Sequence, residues 1–105
     1  MNINNYIILE GFIEPIKFMN LLCDKIENSK DFEYEPQIFV STKNLQFRVY
    51  FGEEEKFCRK CIIDIELFQD KNNACLLKFL RRRGELSDYE KNFSIISDII
   101  KNLKN

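Results

Sequence analysis

The sequence predicts an α+β domain in which an antiparallel sheet of four to five strands carries an N-terminal and a C-terminal helix packed on one face. Three observations lead there. Apolar and polar side chains alternate through three successive runs between residues 45 and 79, the period of half-buried strands. One run before them and one after repeat their apolar residues at three- and four-residue spacing, the mark of a helix with a single buried stripe. The length, 105 residues, fits one domain over 1–105 and is too short for two.

Each element has its own signal. Tyr6-Ile-Ile-Leu-Glu-Gly-Phe12 is rich in β-branched and aromatic residues and reads as a short strand over 6–12. Pro15 suits the first turn of a helix, where its missing N–H leaves nothing unsatisfied. Ile16, Met19, Leu22, Cys23 and Ile26 then form a stripe with Lys17, Asn20, Asp24 and Lys25 off it, which places the helix from Glu14 to Asn28. A polar loop leads to Pro36, and Gln37–Ser41 reads as a strand.

Leu45, Phe47, Val49 and Phe51 alternate with Gln46, Arg48 and Tyr50; Gly52 and Glu53-Glu54-Glu55 make a solvated turn. Cys61, Ile63, Ile65 and Leu67 alternate with Ile62, Asp64, Glu66 and Phe68. Asp70-Lys-Asn-Asn73 is a polar hairpin turn, and Cys75, Leu77 and Phe79 head the returning strand into Arg81-Arg82-Arg83-Gly84. Ser87-Asp88-Tyr89-Glu90 has the form of a capping box, with Ser87 as the cap. Tyr89, Phe93, Ile96, Ile100 and Leu103 give the last helix its stripe, widened by Ile95 and Ile99.

Composition narrows the functional classes. Hydrophobic residues at 45% and charged residues at 31% are a globular balance, and ten Phe with four Tyr predict an aromatic core. No run approaches the roughly 20 apolar residues of a membrane span, and the first residues lack the basic start of a secretory signal. The chain is therefore expected in the cytoplasm or nucleus, with its four cysteines as reduced thiols. A net charge of −1 argues against a nucleic-acid partner. The charge is unevenly spread: residues 1–55 hold five Lys/Arg against ten Asp/Glu, and residues 56–105 hold eleven against seven. The second half is the one suited to an anionic partner.

Little in the chain is suited to catalysis. It has no His, which removes the commonest general base, the commonest metal ligand and every Ser–His or Cys–His pair. Gly11, Gly52 and Gly84 stand too far apart for a phosphate cradle. The expectation is a non-catalytic domain with no cofactor. Cys58-Arg-Lys-Cys61 has the spacing of half a zinc site, but Cys23 and Cys75 stand alone. Along an extended strand Cys58 and Cys61 would also point to opposite faces. Cys23, Cys61 and Cys75 occupy apolar positions, where a thiol packs as a small hydrophobe, so no metal is expected.

The remaining candidate is the triplet Arg81, Arg82 and Arg83, with Lys78 and Lys91 near it and Lys56, Arg59 and Lys60 as secondary members. Such a cluster suits phosphates or carboxylates, which arginine grips with two parallel hydrogen bonds. The plainer reading is a solvated strand end that pairs with Glu85 or Glu90 and blunts a sheet edge.

The stretch Phe79-Leu-Arg-Arg-Arg-Gly-Glu-Leu-Ser-Asp-Tyr-Glu-Lys-Asn-Phe93 resembles the end of kinase-associated domain 1, most nearly the checkpoint-kinase and septin-associated kinase type. The family pattern is a strand with Phe, basic residues, Gly-Asp, an acidic-aromatic pair, and a helix with a second aromatic. Its matches here are Phe79, Arg83, Gly84, Asp88, Tyr89 and Phe93. The paired strands over 61–68 and from Cys75 also resemble the family, so the likeness covers residues 61–101. Glu85 stands where Asp is usual, and Ser87 where the family tends to place Leu, with Leu86 one step away.

The resemblance implies a regulatory domain of a Ser/Thr protein kinase that folds back on the catalytic domain to restrain it, binds anionic phospholipid through basic surface, or both. Peripheral membrane attachment would follow from the second property. None of the kinase signature motifs occurs in the chain, which implies a regulatory piece or a free-standing relative. The expected contact residues are Arg81, Arg82, Arg83, Lys78 and Lys91. The alternative is a structural protein–protein interaction module of RWD-like or kinetochore type, without lipid binding; an exposed aromatic patch with scattered arginines would favour it.

Overall fold

The structure, a computed structural model, describes residues 4–10, 14–41, 45–52, 60–69 and 74–103. The elements run β1 (Asn4–Leu9), α1 (Pro15–Glu27), β2 (Pro36–Ser41), β3 (Gln46–Phe51), β4 (Cys61–Gln69), β5 (Cys75–Arg83) and α2 (Leu86–Leu103). The strands form one antiparallel sheet in the order β1-β5-β4-β3-β2, and both helices pack on the same face. The expected α+β class is the observed one, with five strands.

Period-2 alternation decides what each strand buries. Phe47, Val49 and Phe51 on β3, Cys61, Ile63, Ile65 and Leu67 on β4, and Cys75, Leu77 and Phe79 on β5 all point under the helices. Leu9 on β1 joins them opposite Cys75. Met19, Leu22, Cys23 and Ile26 of α1 and Tyr89, Ile96 and Ile100 of α2 close the core from the other side. Burial of this apolar surface is the main favourable term in folding, worth about 25 cal/mol per Å² removed from water.

The starts of β1 and α2 differ from the sequence expectation by more than one residue. β1 begins at Asn4 and ends at Leu9, because its ladder with β5 runs from Asn4 opposite Leu80 to Leu9 opposite Cys75. Gly11 and Phe12, with the turns at Glu53–Glu55 and Asp70–Asn73, lie outside the described residues. α2 starts at Leu86, so Ser87 sits inside its first turn and is not the cap. The first helical bond is donated by the Tyr89 N–H to the Glu85 carbonyl at 3.0 Å, which makes Glu85 the cap residue.

Gly84 explains the earlier start. Its φ of +105° turns the chain out of β5, and a Cβ there would collide with the Lys60 carbonyl oxygen. Only glycine fits a corner both left-handed and pressed against backbone. At α1 the cap is Glu14, whose carboxylate accepts from the N–H of Lys17 at 2.8 Å and of Ile16 at 3.3 Å, with Pro15 in the first turn.

Candidate functional site

The helices cover one face of the sheet and leave the other open. On that open face Tyr6 and Ile8 of β1, Phe39 of β2 and Phe68 of β4 are 54%, 65%, 62% and 47% exposed. Register groups them. Ile8, Leu76 and Phe68 stand side by side across β1, β5 and β4, where they line a hollow of about 290 Å³ with Gln69 and Ala74. At the far end Phe39 meets the Tyr50 ring edge-on, 5.2 Å between centroids.

Between these two apolar ends lies a charged centre. Asp64 of β4 stands opposite Arg48 of β3 and Leu80 of β5. Arg48 donates from Nε to Asp64 Oδ1 at 2.5 Å and from Nη2 to Oδ2 at 3.1 Å, and Arg82 donates from Nε to Oδ2 at 2.5 Å. The carboxylate is buried, while the two guanidiniums remain about half exposed. Burial pushes the Asp64 carboxyl up, but hydrogen bonds and charge from Arg48 and Arg82 outweigh it and hold it below its ordinary value. The same hydrogen bond raises Arg48 further above its own. The cluster is a fixed carboxylate with one cation in excess, its two arginines half exposed and Arg48 bonded to Tyr50 as well.

The arginine triplet is divided by the fold. A bulge sets Arg81 opposite Ile63 and Arg83 opposite Ile62, with Arg82 the extra residue between. Arg81 therefore shares the helix-covered face, where its Nη1 donates to the Gly84 carbonyl at 3.0 Å and its charge reaches Cys61 and Tyr89. Arg82 joins Asp64 on the open face, and Arg83 stands on that side with Ile62. Lys78 is also there, opposite Tyr6 on one strand and Glu66 on the other. Lys91 lies on α2 and pairs with Glu33 at 3.2 Å. Lys60 sits on the helix side, its Nζ 3.3 Å from the Tyr34 hydroxyl, in a cleft that includes Glu33, Asp88 and Lys91. Lys56 and Arg59 lie outside the described residues. The five expected contact residues thus occupy two faces, Lys78, Arg82 and Arg83 on one and Arg81 and Lys91 on the other.

Three of the four cysteines pack into the core. Cys23, Cys61 and Cys75 are buried, with Cys61 and Cys75 placed toward opposite ends of the sheet. Burial pushes the Cys23 thiol up to about 12 and raises that of Cys61, against a hydrogen bond from Asn92. Among the described residues no group of three His, Cys, Asp or Glu is placed to hold a metal. Cys58 lies outside them.

Three of the residues that carry the family resemblance, Phe79, Tyr89 and Phe93, pack together. Phe79 meets Phe93 edge-on at 5.0 Å, Tyr89 stacks near Phe93 at 6.0 Å, and the Tyr89 hydroxyl donates to Asn5 Oδ1 at 2.7 Å. Desolvation pushes the Tyr89 hydroxyl up to about 12, so it stays a donor.

Sequence reasoning missed Arg48, Asp64 and the open-face apolar residues. The signal was in the alternation itself: Cys61-Ile-Ile-Asp-Ile-Glu-Leu-Phe68 carries apolar residues on both faces, and Arg48 and Asp64 share the same phase in neighbouring strands. Among the described residues no helix is long and apolar enough to cross a membrane. Comparison with protein-family models, curated proteins and solved structures gave no match.

Proposed function

We propose that this chain is a non-catalytic docking domain of kinase-associated type, which binds a protein kinase catalytic domain, in cis or in trans, through the open face of its sheet. One observation supports this above the others: large apolar side chains, Tyr6, Ile8 and Phe68 among them, stand uncovered around a buried carboxylate clamped by two half-exposed arginines. Apolar patches bordered by polar groups are characteristic of interaction sites, and arginine and aromatic residues are enriched in interfaces. The packing of Phe79, Tyr89 and Phe93 together, beside the glycine corner at Gly84, is consistent with the family resemblance.

Binding to anionic phospholipid has less support. A membrane is met by one face at a time, and the expected cations lie on two. That dispersal, together with the apolar patch, favours the second reading, a structural interaction module of RWD-like or kinetochore type with no lipid binding.

A kinase assay separates the readings. A purified checkpoint-type catalytic domain is expected to lose activity when the domain is added in excess. The Ile8→Asp/Phe68→Asp double variant is expected to lose that effect with its circular dichroism unchanged. Unaltered kinase activity and no heat of binding would remove the kinase as partner and leave the interaction-module reading. Salt-sensitive pelleting with phosphatidylserine vesicles, and none with phosphatidylcholine, would restore the lipid.

A further inference from the structure

We propose that a second copy of this chain docks on the outer edge of β2, pairing antiparallel about Phe39 so that two five-stranded sheets become one. β2 is an outermost strand, and its ladder with β3 is unbroken from Pro36 to Ser41. Natural edges discourage pairing with charged side chains, bulges or a mid-strand proline. Pro36-Gln-Ile-Phe-Val-Ser41 has no charge and no bulge, and its proline stands only at the first position. Apolar surface flanks the edge on both sides: Phe39, backed by Tyr50, on the open face, and Val40, 44% exposed, on the helix-covered face.

The choice of occupant follows from self-complementarity. A twofold axis perpendicular to the sheet keeps each face on its own side, so only residues of like phase stand opposite one another. Centred on Phe39, the pairs are Phe39 with Phe39, Ile38 with Val40 and Gln37 with Ser41. Apolar meets apolar, polar meets polar, and no like charges approach. The other outermost strand does not offer this. In β1 an axis at Tyr6 sets Asn5 against Ile7, and an axis at Ile7 sets Asn5 against Leu9, so an amide opposes an aliphatic side chain in either case. The second copy's contact with β2 is independent of what occupies the Ile8–Phe68 corner.

The test uses the chain itself. Sedimentation velocity and light scattering over roughly 1–200 µM, where small interfaces associate, are expected to show the mass rising from 12.6 kDa to twice that value and stopping. Phe39→Lys/Val40→Lys is expected to stay monomeric with unchanged circular dichroism. In a Cys58→Ser background, Phe39→Cys is expected to form an intermolecular disulfide under mild oxidation, since directly opposed strand residues lie within disulfide reach, while Tyr6→Cys is not. A monomer throughout the range would overturn the proposal. So would masses climbing past the dimer, a dimer that survives the lysine pair, or equal cross-linking at Tyr6.

Discussion

The two faces of this sheet are made by the same strands and do different work. Under the helices, Leu9, Val49, Ile63, Ile65 and Phe79 are at most 1% exposed. One residue away in each chain direction, the open face carries Tyr6, Ile8 and Phe68 in contact with solvent, and in the middle a buried carboxylate held by two half-exposed arginines. Alternation along a strand lets a single segment hold the fold together with one set of side chains and offer a surface with the other. It also separates two kinds of sequence signal. Of the residues that carry the family resemblance, Phe79, Gly84, Tyr89 and Phe93 lie on the helix-packed side or at its corner and speak to how the fold closes, while Arg83 stands on the open face.

That division has measurable consequences, largest under the helices. Phe79→Ala removes a fully buried ring from against Phe93. It is expected to cost about 3–5 kcal/mol, read as a lower urea midpoint with unchanged slope. A loss under 1 kcal/mol would mean that the covered face is not the stabilising one.

Asp64 is where the open face should contribute to stability. Asp64→Asn leaves Arg48 and Arg82 beside each other without their counter-charge and is expected to cost about 1–3 kcal/mol near neutral pH. The sign of its pH dependence follows from the lowered carboxyl. Stability from the cluster is fully present above the ordinary aspartate value of about 4 and is lost as pH falls through the lower folded value. The difference between native chain and variant should therefore shrink only in acid. A gap that narrowed between pH 8 and 6 would contradict the ion cluster.

Tyr6→Ser should be the mildest. An exposed open-face residue away from that cluster is expected to shift stability by less than about 0.5 kcal/mol, while weakening the proposed partner contact. If its unfolding curve moved as far as that of Asp64→Asn, the open face would be part of the fold's support after all.

The fold was legible in the sequence because period 2 and period 3.6 are written residue by residue. The strands from Gln46 to Arg83 and the stripes of both helices follow from that pattern. The cap of α2 was misplaced at Ser87 because a capping-box spacing competes with a glycine corner, and the close approach of Gly84 to Lys60 is a tertiary contact with no local trace. The site was less legible for the same reason. Arg81, Arg82 and Arg83 are adjacent in the chain, but a one-residue bulge, invisible without the register of β4, sends them to different sides. Asp64 looks like any polar strand residue until Arg48 and Arg82 are brought to it from two other strands.

The pairing of β1 with β5, Asn4 against Leu80 and Leu9 against Cys75, also sets an order of events during synthesis. The ribosome makes β1 well before the strand that flanks it, so β1 must wait until β5 has been made before it can anneal. Long-range pairings of this kind slow folding and prolong the exposure of sticky intermediates. The Tyr89 hydroxyl donating to Asn5 adds a side-chain tie from α2 to this same strand, so β1 is held by two elements made after it.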